Sequence, residues 1–238
     1  MTTASHSYDP PGRERRRAAP VTVLVSLLCV TSGSIDAISF LALGEAFASV
    51  MTGNIVFLGM SAARQSGELA LFCGTALAGY AIGGAFSSWA VARLARPGEA
   101  RIWPVRVTIM LTAELVVLAG LGTVWMLCGG SPGHSGRLVL LALGAVSMGI
   151  QGAAVRAIGV TVSTTYLTGA LTTLLEAVVT GRGFTHTERS AVSGLVSLFA
   201  GALLGAAALS ALRPAAMFLP CAGVAVVVGI SAAVHWRR

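Results

Sequence analysis

Lysine is absent from this 238-residue chain, and its sixteen basic residues are all Arg. Carboxylates are scarce as well, nine Asp and Glu, which leaves a formal net charge of +7. Charged residues make up only 11% of the chain against 55% hydrophobic ones, with a mean hydropathy of +0.82. That is too little polar surface to cover a soluble globule. The Arg residues cluster at the ends of apolar runs, and no basic stripe is interleaved with aromatics, so the basic balance points to a lipid bilayer and not to nucleic acid. Cysteine occurs four times, singly, at Cys29, Cys73, Cys128 and Cys221, in or beside apolar segments. Without a CxxC or Cys/His spacing these read as small buried hydrophobes. His6, His134, His186 and His235 are scattered, so no metal site, cofactor or catalytic triad is expected, and the chain is not read as an enzyme.

What the chain does have is long apolar runs. About 20 apolar residues are needed to cross ~30 Å of hydrocarbon as a helix. Val21 to Leu43, Leu69 to Ala92, Val105 to Cys128, Leu138 to Ile158, Ala191 to Leu212 and Ala216 to Val234 all qualify. Two further pieces, Phe47 to Ala63 and Thr164 to Thr180, are shorter and interrupted by Gly. They either cross or re-enter. If both re-enter, twelve Arg lie on the cytoplasmic side and three outside, the better fit to the positive-inside tendency. Residues 1–19, rich in Pro and Arg, read as a disordered cytoplasmic tail. Both termini are expected in the cytoplasm.

The stretch from Thr31 to Gly59 is broken by Asp36 and again by Thr52-Gly53-Asn54, and the chain writes it twice. A shift of 116 places Gly33 on Gly149, Ala37 on Ala153, Thr52 on Thr168 and Gly53 on Gly169. Gly79-xxx-Gly83 then follows the first break as Gly201-xxx-Gly205 follows the second, and both runs suggest close helix contacts. The expected fold is an all-α polytopic membrane protein, with six spanning helices and two short broken or re-entrant ones, arranged as two inverted repeats. Repeat one covers 20–128, a linker 129–138, and repeat two 139–236.

Polar residues inside the apolar runs carry the functional reading. A charge at the bilayer centre costs at least ~2.5 kcal/mol, so it ordinarily faces a partner or a cavity. Short helices beginning at Gly53 and Gly169 would aim backbone N–H groups at one midplane point, which suits an anion or carboxylate. The candidate substrate-binding set is therefore Asp36, Thr52, Gly53, Asn54, Thr168 and Gly169. Asp36 has a second reading, as a cap on the helix starting near Gly53. Glu114 and Arg156 are expected to pair, the Arg snorkelling from nearer the inner end. Val160 to Tyr166, β-branched and Thr-rich, reads as an extended arm leading into the second short helix. Trp89, Trp103, Trp125 and Trp236 read as interface anchors.

Gly33, Asp36-Ala37, Phe40-Leu41, Leu43-Gly44, Phe47, Met51-Thr52-Gly53-Asn54 and Leu58-Gly59 together resemble the signature of the YoaK-like proteins, bacterial inner-membrane proteins of unknown function. The resemblance runs from about Pro20 to Trp236. It implies location and architecture and supplies no substrate. Two functional classes follow: a permease for a small solute or ion, as a monomer or homodimer, or a non-transporting sensor or assembly partner.

Overall fold

The computed structural model describes residues 11–95, 103–158, 167–182 and 184–236. Eight helices follow in order: α1 (Pro11–Ala42), α2 (Met51–Arg64), α3 (Gly67–Arg93), α4 (Val105–Leu127), α5 (His134–Arg156), α6 (Leu167–Val179), α7 (His186–Ala211) and α8 (Phe218–Trp236). A 3-10 turn, Arg213–Ala215, precedes α8, and no strand occurs among the described residues. This is the expected outcome for apolar runs of such length, because in hydrocarbon a helix satisfies its own backbone. Six of the helices are long and apolar enough to cross a membrane: Val21–Ala42, Gly67–Arg93, Val105–Leu127, His134–Arg156, Glu188–Ala211 and Arg213–Ala233. They coincide with the six expected spans. α1 starts at Pro11, ahead of the apolar run, so the Arg13 to Arg17 stretch expected in a disordered tail has helical backbone. α5 takes up residues 134–138, which shortens the expected linker to Cys128 through Gly133.

Glycine decides which helices meet. A Cβ on Gly83 would collide with the carbonyl of Val146, and one on Gly149 with the carbonyl of Tyr80. Gly79 faces Ala142, and the Ser87 hydroxyl donates to the Ile150 carbonyl at 3.1 Å. Residue numbers rise together along this seam, so α3 and α5 run parallel with their backbones in contact. The same holds for α1 and α7. Ser26 bonds Ser193, and Cβ atoms on Gly201, Gly33 and Gly205 would collide with Val30, Leu198 and Ser34. The two seams place Gly83 opposite Val146 as Gly201 is opposite Val30. The sequence reading equated Gly79 with Gly201, one helical turn out of step.

Between the seams, α1 crosses α5 antiparallel. The Ser32 hydroxyl approaches the Met148 sulfur at 3.6 Å, Gln151 Nε2 donates to the Leu28 carbonyl at 3.3 Å, and Ile35 lies beside Gly144. Since α3 is parallel to α5 and α5 is antiparallel to α1, the chain leaves α1 and enters α3 at the same end of the bundle. Likewise it leaves α5 and enters α7 at one end, the opposite one. Neither α2 nor α6 therefore crosses. α4 and α8 close the bundle, meeting where Phe218 packs beside Gly122 and where the Trp125 indole N–H donates to the Arg213 carbonyl at 2.7 Å. Trp125 is fully buried by that bond and is not the lipid-facing anchor its position near a helix end suggested. Trp103 is also covered, its N–H on the Thr108 hydroxyl, whereas Trp89 is exposed beneath the Arg93 guanidinium as an anchor should be.

Candidate functional site

The first break is built from the end of α1. Leu43 and Glu45 amides return to Ser39 and Phe40 carbonyls, and the chain then turns through Gly44 at φ 128° and Glu45 at φ 57°. Gly44 is required twice over, since that φ disfavours any L side chain and a Cβ would enter the Phe72 ring. Beyond the turn the chain doubles back along α1. Asp36 lies six residues before Ala42, ~9 Å along the axis. Its carboxylate accepts the Ser49 amide at 2.7 Å and the Ser49 hydroxyl, with the Ala48 and Val50 amides also turned to it. From Val50 the chain enters α2, ~21 Å of helix that returns to the end it came from.

Asn54 fastens the same loop from the other side. It is fully buried; its Oδ1 accepts the Phe47 amide at 2.9 Å and its Nδ2 donates to the Phe47 carbonyl at 2.7 Å. The side chain thus pairs with Phe47 as a neighbouring strand would. The rings of Phe40, Phe47 and Phe57 cluster with centroids 5.0 to 6.0 Å apart, Phe47 stacked on both of the others.

Two sequence expectations need correction. The short helices begin at Met51 and Leu167, two residues ahead of Gly53 and Gly169, so both Thr-Gly pairs lie inside the first turn. The backbone break itself falls at Leu43 to Val50. Gly53 does not take a positive φ; it leaves room for the Phe47 ring, 3.2 Å from where a Cβ would stand. Thr52 is exposed, and Gly169 has open space around it. The Val160 to Tyr166 arm and the Thr168 side chain lie outside the described residues. α2 packs on α3 and α6 on α7, at opposite ends of the bundle.

The second correction concerns charge. Glu114 does not pair with Arg156: both carboxylate oxygens are buried without a hydrogen-bond partner, while Arg156 is exposed in the last turn of α5. The reason is position, since Glu114 belongs to the buried stripe Val107, Leu111, Glu114, Leu118, Leu121 and Trp125 in the middle of α4. Gln151 is legible in the sequence as an uncharged polar residue within an apolar run, but Ser32 was missed as a member of the polar centre. Gln151 Nε2 donates to Ser32 Oγ at 2.8 Å as well as to Leu28. The signal available was helical register, Gln151 with Met148 and Gly144 on α5 and Ser32 with Leu28 and Ile35 on α1.

At the end where α1 finishes, two adjoining cavities open, of about 410 and 230 Å³. Gly44, Glu45 and Arg137 line both, with His134 and Arg213 on the larger and Glu68 on the smaller. Glu68 sits 3.5 Å from His134 and 3.9 Å from Arg137.

An all-helical bundle with six membrane-length helices and two short ones that return to their own side defines a multi-pass integral membrane protein. Residues 24–231 match the family described as "Protein of unknown function (DUF1275)". The chain belongs to that family. It is 36% identical over 168 residues to the UPF0700 transmembrane protein YoaK of Bacillus subtilis (strain 168), an overlap covering 70% of this chain and 71% of the relative. No solved structure matches.

Proposed function

We propose that this protein is a small-solute or ion permease of the bacterial inner membrane, built from two inverted repeats, α1 to α4 and α5 to α8. The observation that carries this reading is the interchange of contacts. Exchanging each helix for its counterpart turns α1 on α7 into α5 on α3, α4 on α5 into α8 on α1, and α2 on α3 into α6 on α7. Ser32 and Met148, at the antiparallel crossing, are 116 residues apart, the shift at which the sequence matches itself. Inverted repeats with interrupted helices are the architecture of many secondary transporters, an analogy of fold that carries no substrate. Both termini are cytoplasmic in this reading, the orientation that the Arg distribution favours.

The site lies between the first turns of α2 and α6, with Thr52 and Gly53 on one side and Thr168 and Gly169 on the other. Asp36 and Asn54 fix the α2 side. The Arg137 and Arg213 side chains on the cavities at the end where α1 finishes, with Glu45 beside them, support an anionic solute. A second reading, a non-transporting membrane component, is favoured by one observation: the Asp36 and Asn54 side chains are fully engaged with the loop. Purified protein in proteoliposomes on a solid-supported membrane distinguishes the two. Concentration jumps of small anions, carboxylates and alkali cations should give transient currents above those of empty liposomes for at least one class. Silence across the whole panel rejects the permease.

A further inference from the structure

Three buried oxygens in the bundle centre lack a donor: Oε1 and Oε2 of Glu114 and Oε1 of Gln151. Glu114 is 0% exposed and Gln151 2%. Their neighbourhood follows from helix register. Gly144 on α5 opens towards both Ile35 on α1 and Leu121 on α4, so this stripe of α5 lies in the groove between those helices. α4 runs antiparallel to α8 and α8 antiparallel to α1, which sets α4 antiparallel to α5. Two turns back from Leu121 on the same face of α4 is Glu114, and two turns on from Gly144 along α5 is Gln151. The two residues therefore come level on facing stripes. Leu111 and Leu118, one turn either side of Glu114, share their apolar cluster with Leu28, Met148 and Ala154.

Gln151 has no freedom to turn its amide round. Both known bonds of its Nε2, to the Leu28 carbonyl and to Ser32, use the amino group, which leaves Oε1 facing away as an acceptor. A carboxylate opposite a carbonyl oxygen, both buried, is an arrangement of acceptors only. It lacks one positive charge and one hydrogen-bond donor, and a single proton supplies both.

We propose that Glu114 and Gln151 form a proton-binding site at the centre of the bundle, in which the Glu114 carboxylic acid donates to Gln151 Oε1. A sodium ion is the poorer fit, because three oxygens fall well short of the oxygen shell a hard cation gathers. The groups that face the site are few. The apolar cluster around it holds Cys29 of α1, with Cys221 of α8 and Tyr80 of α3 packed against it, the Tyr80 hydroxyl abutting Gly152 beside Gln151. Asp36 is two turns further along α1 and engaged with Ser49, while Arg106, half-buried and with a partner of its own, lies two turns away on α4. No cation among these stands against Glu114. This site is independent of the transport reading, since it concerns a bound proton and not its movement.

Infrared spectroscopy of the full chain in lipid nanodiscs at neutral pH tests it. Wild type minus Glu114→Gln should contain a carboxylic-acid C=O band that shifts on exchange into D2O. Glu114→Gln itself should unfold at or above the wild-type temperature, its amide supplying the donor that the proton supplied. Gln151→Leu should move the acid band to higher frequency by removing its acceptor. A difference spectrum holding only carboxylate bands overturns the proposal, as does a band unmoved by Gln151→Leu. So does an acid band that disappears when choline chloride is replaced by sodium chloride, which would assign the site to sodium.

Discussion

Replacing Asn54 by Ala removes one side chain and two hydrogen bonds, and the geometry fixes what is left behind. The Phe47 amide and carbonyl, bonded at 2.9 and 2.7 Å to the fully buried Asn54 side chain, lose those partners. Leaving a buried donor or acceptor unsatisfied costs about 1 to 3 kcal/mol each, so the variant should be destabilised by about 2 to 6 kcal/mol. Asn54→Asp keeps Oδ1 for the amide but sets an oxygen against the Phe47 carbonyl, and should be no better than Ala. Equilibrium unfolding in mixed micelles, followed by the fluorescence of the four Trp, measures both. A ligand-orienting role alone would leave unliganded stability untouched. Asn54→Ala within about 0.5 kcal/mol of wild type would therefore refute the fastening of Phe47.

Three other expectations follow from the same geometry. Asp36→Asn leaves one acceptor where the loop presents several N–H groups, and should lower stability by about 1.5 to 3 kcal/mol, the range for bonds to a charged group, in the same unfolding assay. Gly83→Ala should be destabilising by about 1 to 3 kcal/mol or more, because the new Cβ collides with Val146 backbone, whereas Gly59→Ala, in open space, should be neutral or gain up to ~1 kcal/mol of helix propensity. In a Cys-free background, Ser131→Cys should react with an impermeant maleimide from outside intact cells and Thr180→Cys only after permeabilisation; labelling of both from outside would sink the proposed orientation.

The six spans were legible because each is a long apolar run, and length alone nearly determines a helix that must satisfy its own backbone in hydrocarbon. The short pieces were legible as interruptions, but their starts were read two residues late because Thr-Gly looked like the break. The turn is instead made by Gly44 and Glu45, in the short gap between the run ending at Leu43 and the piece beginning at Phe47. Faces were harder. On helices apolar all round, nothing local says that Trp125 turns inward to Arg213 or that Arg156 turns out, away from Glu114. The one-turn error between Gly79 and Gly83 has the same origin: a sequence alignment counts residues, while the seam is set by which backbone each glycine touches.

The two glycine seams have a consequence for how the molecule comes together. Each joins a helix of the first half to one of the second, α3 to α5 and α1 to α7, so neither half closes a seam of its own. As the chain emerges, α3 finds α5 after a single intervening helix. α1 must wait until five more have been made before α7 arrives to cover Gly33, Val30 and Ser34. During that interval its small-residue face meets lipid or the insertion machinery. The halves are clasped hands and not stacked blocks, and cutting the chain between them would yield two fragments that each bare the surface the other was shaped to fill.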